Sequence, residues 1–136
     1  MFKKLAVSLA IMLSAILIIL LNVAPVFSGY AKTFEIYHGD SAGQIRTVSY
    51  IEYFLSGKIK GEGVTLKKEN FDLDDFLRDF KAKIKVSENI EGGVNYYAYS
   101  RKIPYRQKIY GKTVNLQIFV GEQTVKVGAP MIYGSF

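Results

Sequence analysis

Residues 95–112, NYYAYSRKIPYRQKIYGK, interleave tyrosines with arginines and lysines and contain no acid. Guanidinium and ammonium groups hold phosphates, while aromatic rings stack on bases or pack on other flat groups, so such a stretch is built for an anionic partner. On strands, side chains alternate between faces. Tyr97, Tyr99 and Arg101 then share one face, as do Arg106, Lys108 and Tyr110 on the following strand. Lys126 falls on the polar side of the last strand, opposite Val125 and Val127. If these strands are neighbours, the seven residues form a basic, tyrosine-studded plate. Solvated sheet faces also carry Tyr and Lys for structural reasons, since Tyr favours strands and Lys discourages edge pairing.

Other chemistry is thinner. His38, the single histidine, stands beside Gly39, Asp40 and Ser41. A hydrolase built on His38 and Asp40 would also need a nucleophile on a strained turn and an oxyanion hole, neither of which has a signature here. Asp72, Asp74, Asp75 and Asp79 lack the glycine-bearing loop and closing glutamate of a calcium site, and helix capping accounts for them. The glycines of GKIKGEG, 57–63, do not match a phosphate loop, which needs Lys-Ser/Thr opening a helix, and read as a turn. With no cysteine, disulfides, thiolate chemistry and Cys-based zinc sites are excluded. The residues call for no metal or cofactor and point to a non-enzymatic protein.

Where these residues work depends on the N-terminus. Lys3 and Lys4 precede an uncharged apolar run, residues 5–23, followed by APVFSGYAKT. Small residues permit cleavage after Ser28 or after Ala31, the layout of a secretory signal. The run exceeds the usual ~7–15 residues of a signal core and nears the ~20 that cross a bilayer, so an uncleaved anchor stays open beside it. The two lysines orient the segment with its start in the cytoplasm and the rest exported. Burial as a core helix would need protein on every side, which a 136-residue chain does not supply. This divides the chain into residues 1–31, a signal peptide or membrane anchor with linker, and 32–136, an exported domain.

Beyond residue 31 the chain carries 12 acidic residues against the total of 18 basic ones less Lys3 and Lys4, a net charge of +4. Outside the cytoplasm, nucleic acid gives way to membrane headgroups, cell-wall polymers or an envelope protein as the partner.

KTFEIYHGD, 32–40, predicts a short strand with Phe34 and Ile36 on one face. RTVSYIEYFLSGKIK, 46–60, predicts a long bent strand, with a helix over 42–55 as the competing assignment. The spacing of Leu73, Phe76, Leu77, Phe80 and Ile84 predicts an amphipathic helix over 69–85. Asn70 or Asp72 would cap it, and Lys81, Lys83 and Lys85 would complement its last turn. Period-two alternation then predicts a hairpin about Gly92-Gly93 and another about Gly111-Lys112. A last strand carries Val125 and Val127 inward. The expected fold class is α+β: an antiparallel sheet with one amphipathic helix on one face, preceded by the signal or anchor helix. The C-terminal strand, with a free end, is also a candidate for sheet-edge assembly with another copy or a partner.

VNYYAYSRKIP, GKTVNLQIFV and VKVGAPMIYGSF together resemble the end of the YwmB-like proteins of spore-forming bacteria. The likeness covers roughly the last 45 residues. It is carried by Val114-Asn115-Leu116-Gln117 and by Gly128-Ala129-Pro130 ahead of Met131-Ile132. It implies a fold related to the TATA-box-binding protein, an export segment and a link to the envelope of a sporulating cell, without an activity. Members of that family are much longer. They carry an arginine shortly after the Asn-Leu-Gln strand, where this chain has Phe119-Val120-Gly121.

Overall fold

The computed structural model describes residues 1–22, 24–39 and 44–133. Helix α1, Phe2–Asn22, holds 21 residues and so measures about 30 Å at 1.5 Å per residue. Its window Phe2–Ile19 has a mean hydropathy of 2.1, and none of it is buried against the rest of the protein. It is long and apolar enough to cross a bilayer.

The remainder is built on one antiparallel sheet. Its strands are β1 (Thr33–Tyr37), β2 (Ile45–Ser49), β3 (Gly61–Lys67), β4 (Ala82–Ile90) and β5 (Gly93–Ser100), followed by β8 (Leu116–Val120) and β9 (Thr124–Ala129). They lie in the order β2-β1-β3-β9-β8-β5-β4. Two short strands, β6 (Gln107–Ile109) and β7 (Lys112–Val114), form a separate ribbon. The α+β class with a large antiparallel sheet is therefore what the chain adopts.

Alternation places the core. Phe34, Ile36, Val64, Val125, Val127, Leu116, Ile118 and Ala98 are all buried. The registers Val64↔Val127 and Ile118↔Val127 put them on a common face. Helices α2 (Tyr50–Leu55) and α3 (Leu73–Asp79) supply Tyr53 and Phe76 to the same core.

Three local expectations differ from the structure. The helix at 69–85 is only α3, capped by the Asp72 side chain on Asp75 N–H. After Phe80 the backbone turns at Lys81, whose φ is 48°, and residues 82–90 pair with β5 as a strand. The ladder with β5, eight registered residues broken by a bulge at Lys85, outweighs a longer helix, and Ile84, Lys83 and Lys85 leave the helix entirely. The region 46–60 is neither one bent strand nor one helix. Ser49 ends β2 and opens α2 through a capping box with Glu52. Finally, GKIKGEG is only partly a turn, since β3 begins at Gly61 and contains Gly63.

Residues 25–31, composed like a linker, are packed into the fold. Phe27 is completely buried. Its ring lies 5.7 Å from that of Phe80 and 6.4 Å from that of Phe76. Tyr30 packs on the same two rings, at 4.9 Å from Phe76, and donates its hydroxyl to the Asp79 carboxylate.

Candidate functional site

β3 brings Glu62 to the core face, opposite Ile36 on one side and Ala129 on the other. The side chain is 2% exposed. An isolated buried carboxylate is costly, and this one is surrounded by donors. Oε1 accepts the Val26 N–H, and Oε2 accepts the Tyr53 hydroxyl at 2.5 Å and the Tyr105 hydroxyl at 3.1 Å. The Phe27 N–H also bonds this carboxylate. Burial pushes the Glu62 carboxyl above its ordinary range, and the four hydrogen bonds pull partly against that. Burial, together with the neighbouring carboxylate, also drives the Tyr53 and Tyr105 phenols well above theirs, so both stay donors.

These residues floor an open cleft of about 770 Å³. Its walls include Ala24 and Val26 from the chain just after α1, and Phe54, Gly57, Lys58 and Ile59 from α2 and the loop beyond. The third wall is Lys102, Pro104 and Tyr105. That wall is held by Asn115, buried between β7 and β8. Its side-chain amide donates to the carbonyls of Ser100 at 2.6 Å and Ile103 at 3.1 Å, and its Oδ1 accepts the Ser100 N–H at 2.8 Å. Lys102 Nζ reaches the Asp79 carbonyl at 2.8 Å, which closes the wall against α3.

A carboxylate has about four acceptor positions, and Glu62 has four donors, all from its own chain. The arrangement is a latch between the segment that follows α1, β3 and the 101–106 loop, with two exposed lysines at the cleft it floors. Sequence reading passed over Glu62 because its partners come from 36, 9 and 43 positions away.

The residues singled out in the sequence are only partly assembled. Tyr97 and Lys126 lie on the sheet face opposite the core, with Tyr97 beside Gln117 and Lys126 beside Phe119. Tyr99 shares that face on β5, two residues along. Arg106, Lys108 and Tyr110 belong to the β6–β7 ribbon and its approach, which is not a neighbour of β5 in the sheet. The seven residues are therefore not carried by successive strands of one sheet: β5 ends at Ser100, and the ribbon packs against β5 through β7 without joining it in the sheet. Tyr110 is nevertheless drawn back, for its hydroxyl bonds Glu88 on β4, which raises its pKa. Arg101 and Arg106 are exposed in the loop that walls the cleft. The polar face is otherwise knitted by Gln117, which accepts from Ile132 N–H and donates to Asn95, both at 2.9 Å. This holds the C-terminal segment across β3, where the Tyr133 ring lies so close over Gly61 that a Cβ there would have to displace it.

His38 Nδ1 lies 3.0 Å from the Lys58 carbonyl, while Asp40 and Ser41 fall outside the described residues. Among the described residues no group of three or more His, Asp or Glu is placed to hold a metal. β9 is paired on both sides, with β3 and β8, so the C-terminal strand is an interior strand and offers no edge for assembly. The sheet edges are β2 and β4.

Compared with known proteins, the chain matches no family model, no curated protein and no solved structure.

Proposed function

We propose that the protein is a membrane-anchored, extracytoplasmic, non-enzymatic binding domain that engages an anionic surface, headgroup or wall polymer, or an envelope protein. The observation that carries this is the burial of Phe27 five positions after α1 ends. Cleavage after Ser28 would remove Phe27 from the core and both backbone donors from Glu62. Cleavage after Ala31 would also remove Tyr30 and its bond to Asp79. Burying one large aromatic side chain is worth about 1.5–3 kcal/mol, a large share of the stability of a domain this size. A domain that needs these residues keeps them, and with them keeps α1.

Export is supported by Lys3 and Lys4 ahead of the apolar run. An anionic partner is supported by the net charge of +4 beyond residue 31 and by the exposed Arg101, Lys102, Arg106 and Lys108 around the 101–106 loop. A tethered domain needs only weak contacts, since the anchor raises its local concentration. A role in the envelope of a sporulating cell rests on the YwmB-like resemblance alone.

The reading is tested by fractionation. The full chain should stay with membranes through an alkaline wash, and its domain should be digested by protease added outside intact spheroplasts. Recovery in the soluble cytosol, or protection from external protease, would overturn it.

A further inference from the structure

We propose that α2 docks on the outer leaflet of the same bilayer that holds α1, with Ile51 and Leu55 in the interfacial layer. This rests on the anchored reading above and adds an orientation to it.

α2 is six residues long and shows two opposed characters. On one side Tyr53 is buried and donates to Glu62. On the other, Ile51 is 72% exposed and Leu55 is 81% exposed, four positions apart and so on one helix face. Tyr50 joins them at 43%. A lone exposed leucine is ordinary, but an apolar stripe on a rigidly capped helix marks a surface meant for something apolar. The start of α2 is fixed by the reciprocal capping of Ser49 and Glu52. The same contact turns the helix's one acid, Glu52, back onto its own N-terminus.

The tether decides what meets this stripe. Ala24, which lines the cleft with Phe54, Gly57 and Lys58, stands two residues after Asn22, the end of α1. Two residues of extended chain reach about 7 Å. The headgroup layer on each side of a bilayer's hydrocarbon is about 5–8 Å deep. Ala24 is therefore held at headgroup depth by covalent connection, and α2, which walls the same cleft, is brought close to that depth with it. Beside the stripe stand residues suited to that depth: the rings of Tyr50 and Phe54 on α2 itself, and the exposed Lys58 in the loop just beyond it. Apolar tips with aromatic and basic flanks fit an anionic lipid surface. A protein partner would have to compete with the bilayer for the same face.

The chain has no cysteine, so single labels can be placed on the full-length protein. Ile51→Cys and Leu55→Cys would each carry an environment-sensitive fluorophore in vesicles of mixed phosphatidylglycerol and phosphatidylcholine, with exposed Glu122→Cys as the reference. The expected result is blue-shifted emission at both α2 positions and several-fold weaker quenching by aqueous iodide than at position 122. Emission and quenching equal to the reference would overturn the proposal and leave the face to a protein partner. Retention through an alkaline wash is read on the same vesicles. A chain that washes off takes the anchored reading down as well, whereas an anchored chain with wet labels sinks only the docking.

Discussion

The Glu62 carboxylate accepts the backbone N–H of Val26, 36 positions earlier in the chain and four positions past the end of the apolar helix. This bond ties the middle of the sheet to the first residues after the apolar helix. Tyr53 and Tyr105 share the same carboxylate, so α2 and the basic loop are tied to it too.

Phe27→Ala tests the packing half of this latch. Emptying a fully buried aromatic site is expected to cost about 3–5 kcal/mol, read as a lowered unfolding midpoint of the full chain in detergent micelles. A loss well under 1 kcal/mol would mean that residues 25–31 are a loose linker after all.

The polar half has a pH signature. Burial holds the folded Glu62 carboxyl above its ordinary 4.5, so the folded state keeps a proton that the unfolded chain has already released. Between 4.5 and the folded value, native protein binds more protons than unfolded protein, and stability falls as pH rises. Above the folded value this slope vanishes. Glu62→Gln is expected to flatten that part of the stability–pH curve, measured by denaturant unfolding across the acidic range.

Asn115→Ala should loosen the cleft wall. It strands the Ser100 N–H and the Ile103 carbonyl in the interior and leaves the Ser100 carbonyl only the longer bond from Ile103 N–H, at a cost on the order of 3 kcal/mol. Limited proteolysis is expected to cut first within 101–106. Equal protection of that loop in the variant would remove Asn115 from its support.

The basic residues are tested together. Full-length protein in zwitterionic vesicles is expected to capture soluble anionic wall polymer in a salt-sensitive way. Replacing Arg101, Arg106 and Lys108 with alanine should weaken capture by roughly 3 kcal/mol, about a hundredfold at low salt. All three are exposed, so folding should be unaffected. Unchanged capture would exclude them.

Period-two alternation read the sheet well where one face is core. Phe34 and Ile36 on β1, and Val125 and Val127 on β9, point as their spacing says. The Asp72 cap was equally visible. What the letters hid was competition between neighbours in space. The apolar spacing through Ile84 suits a helix, but β5 lies alongside and claims residues 82–90 for its ladder. Ser49-Tyr50-Ile51-Glu52 did carry a signal, a capping box, that would have started α2 at the correct residue. Glu62 carried none, because its meaning comes from three distant segments, and a lone acid between glycines looks like a turn.

The intact mass of the native protein purified from membranes reports most directly on whether the fold keeps its anchor. The expected species includes residues 1–31, at about the 15.3 kDa of the whole chain. A mature species beginning at Gly29 or Lys32, folded and stable without Phe27, would contradict the account.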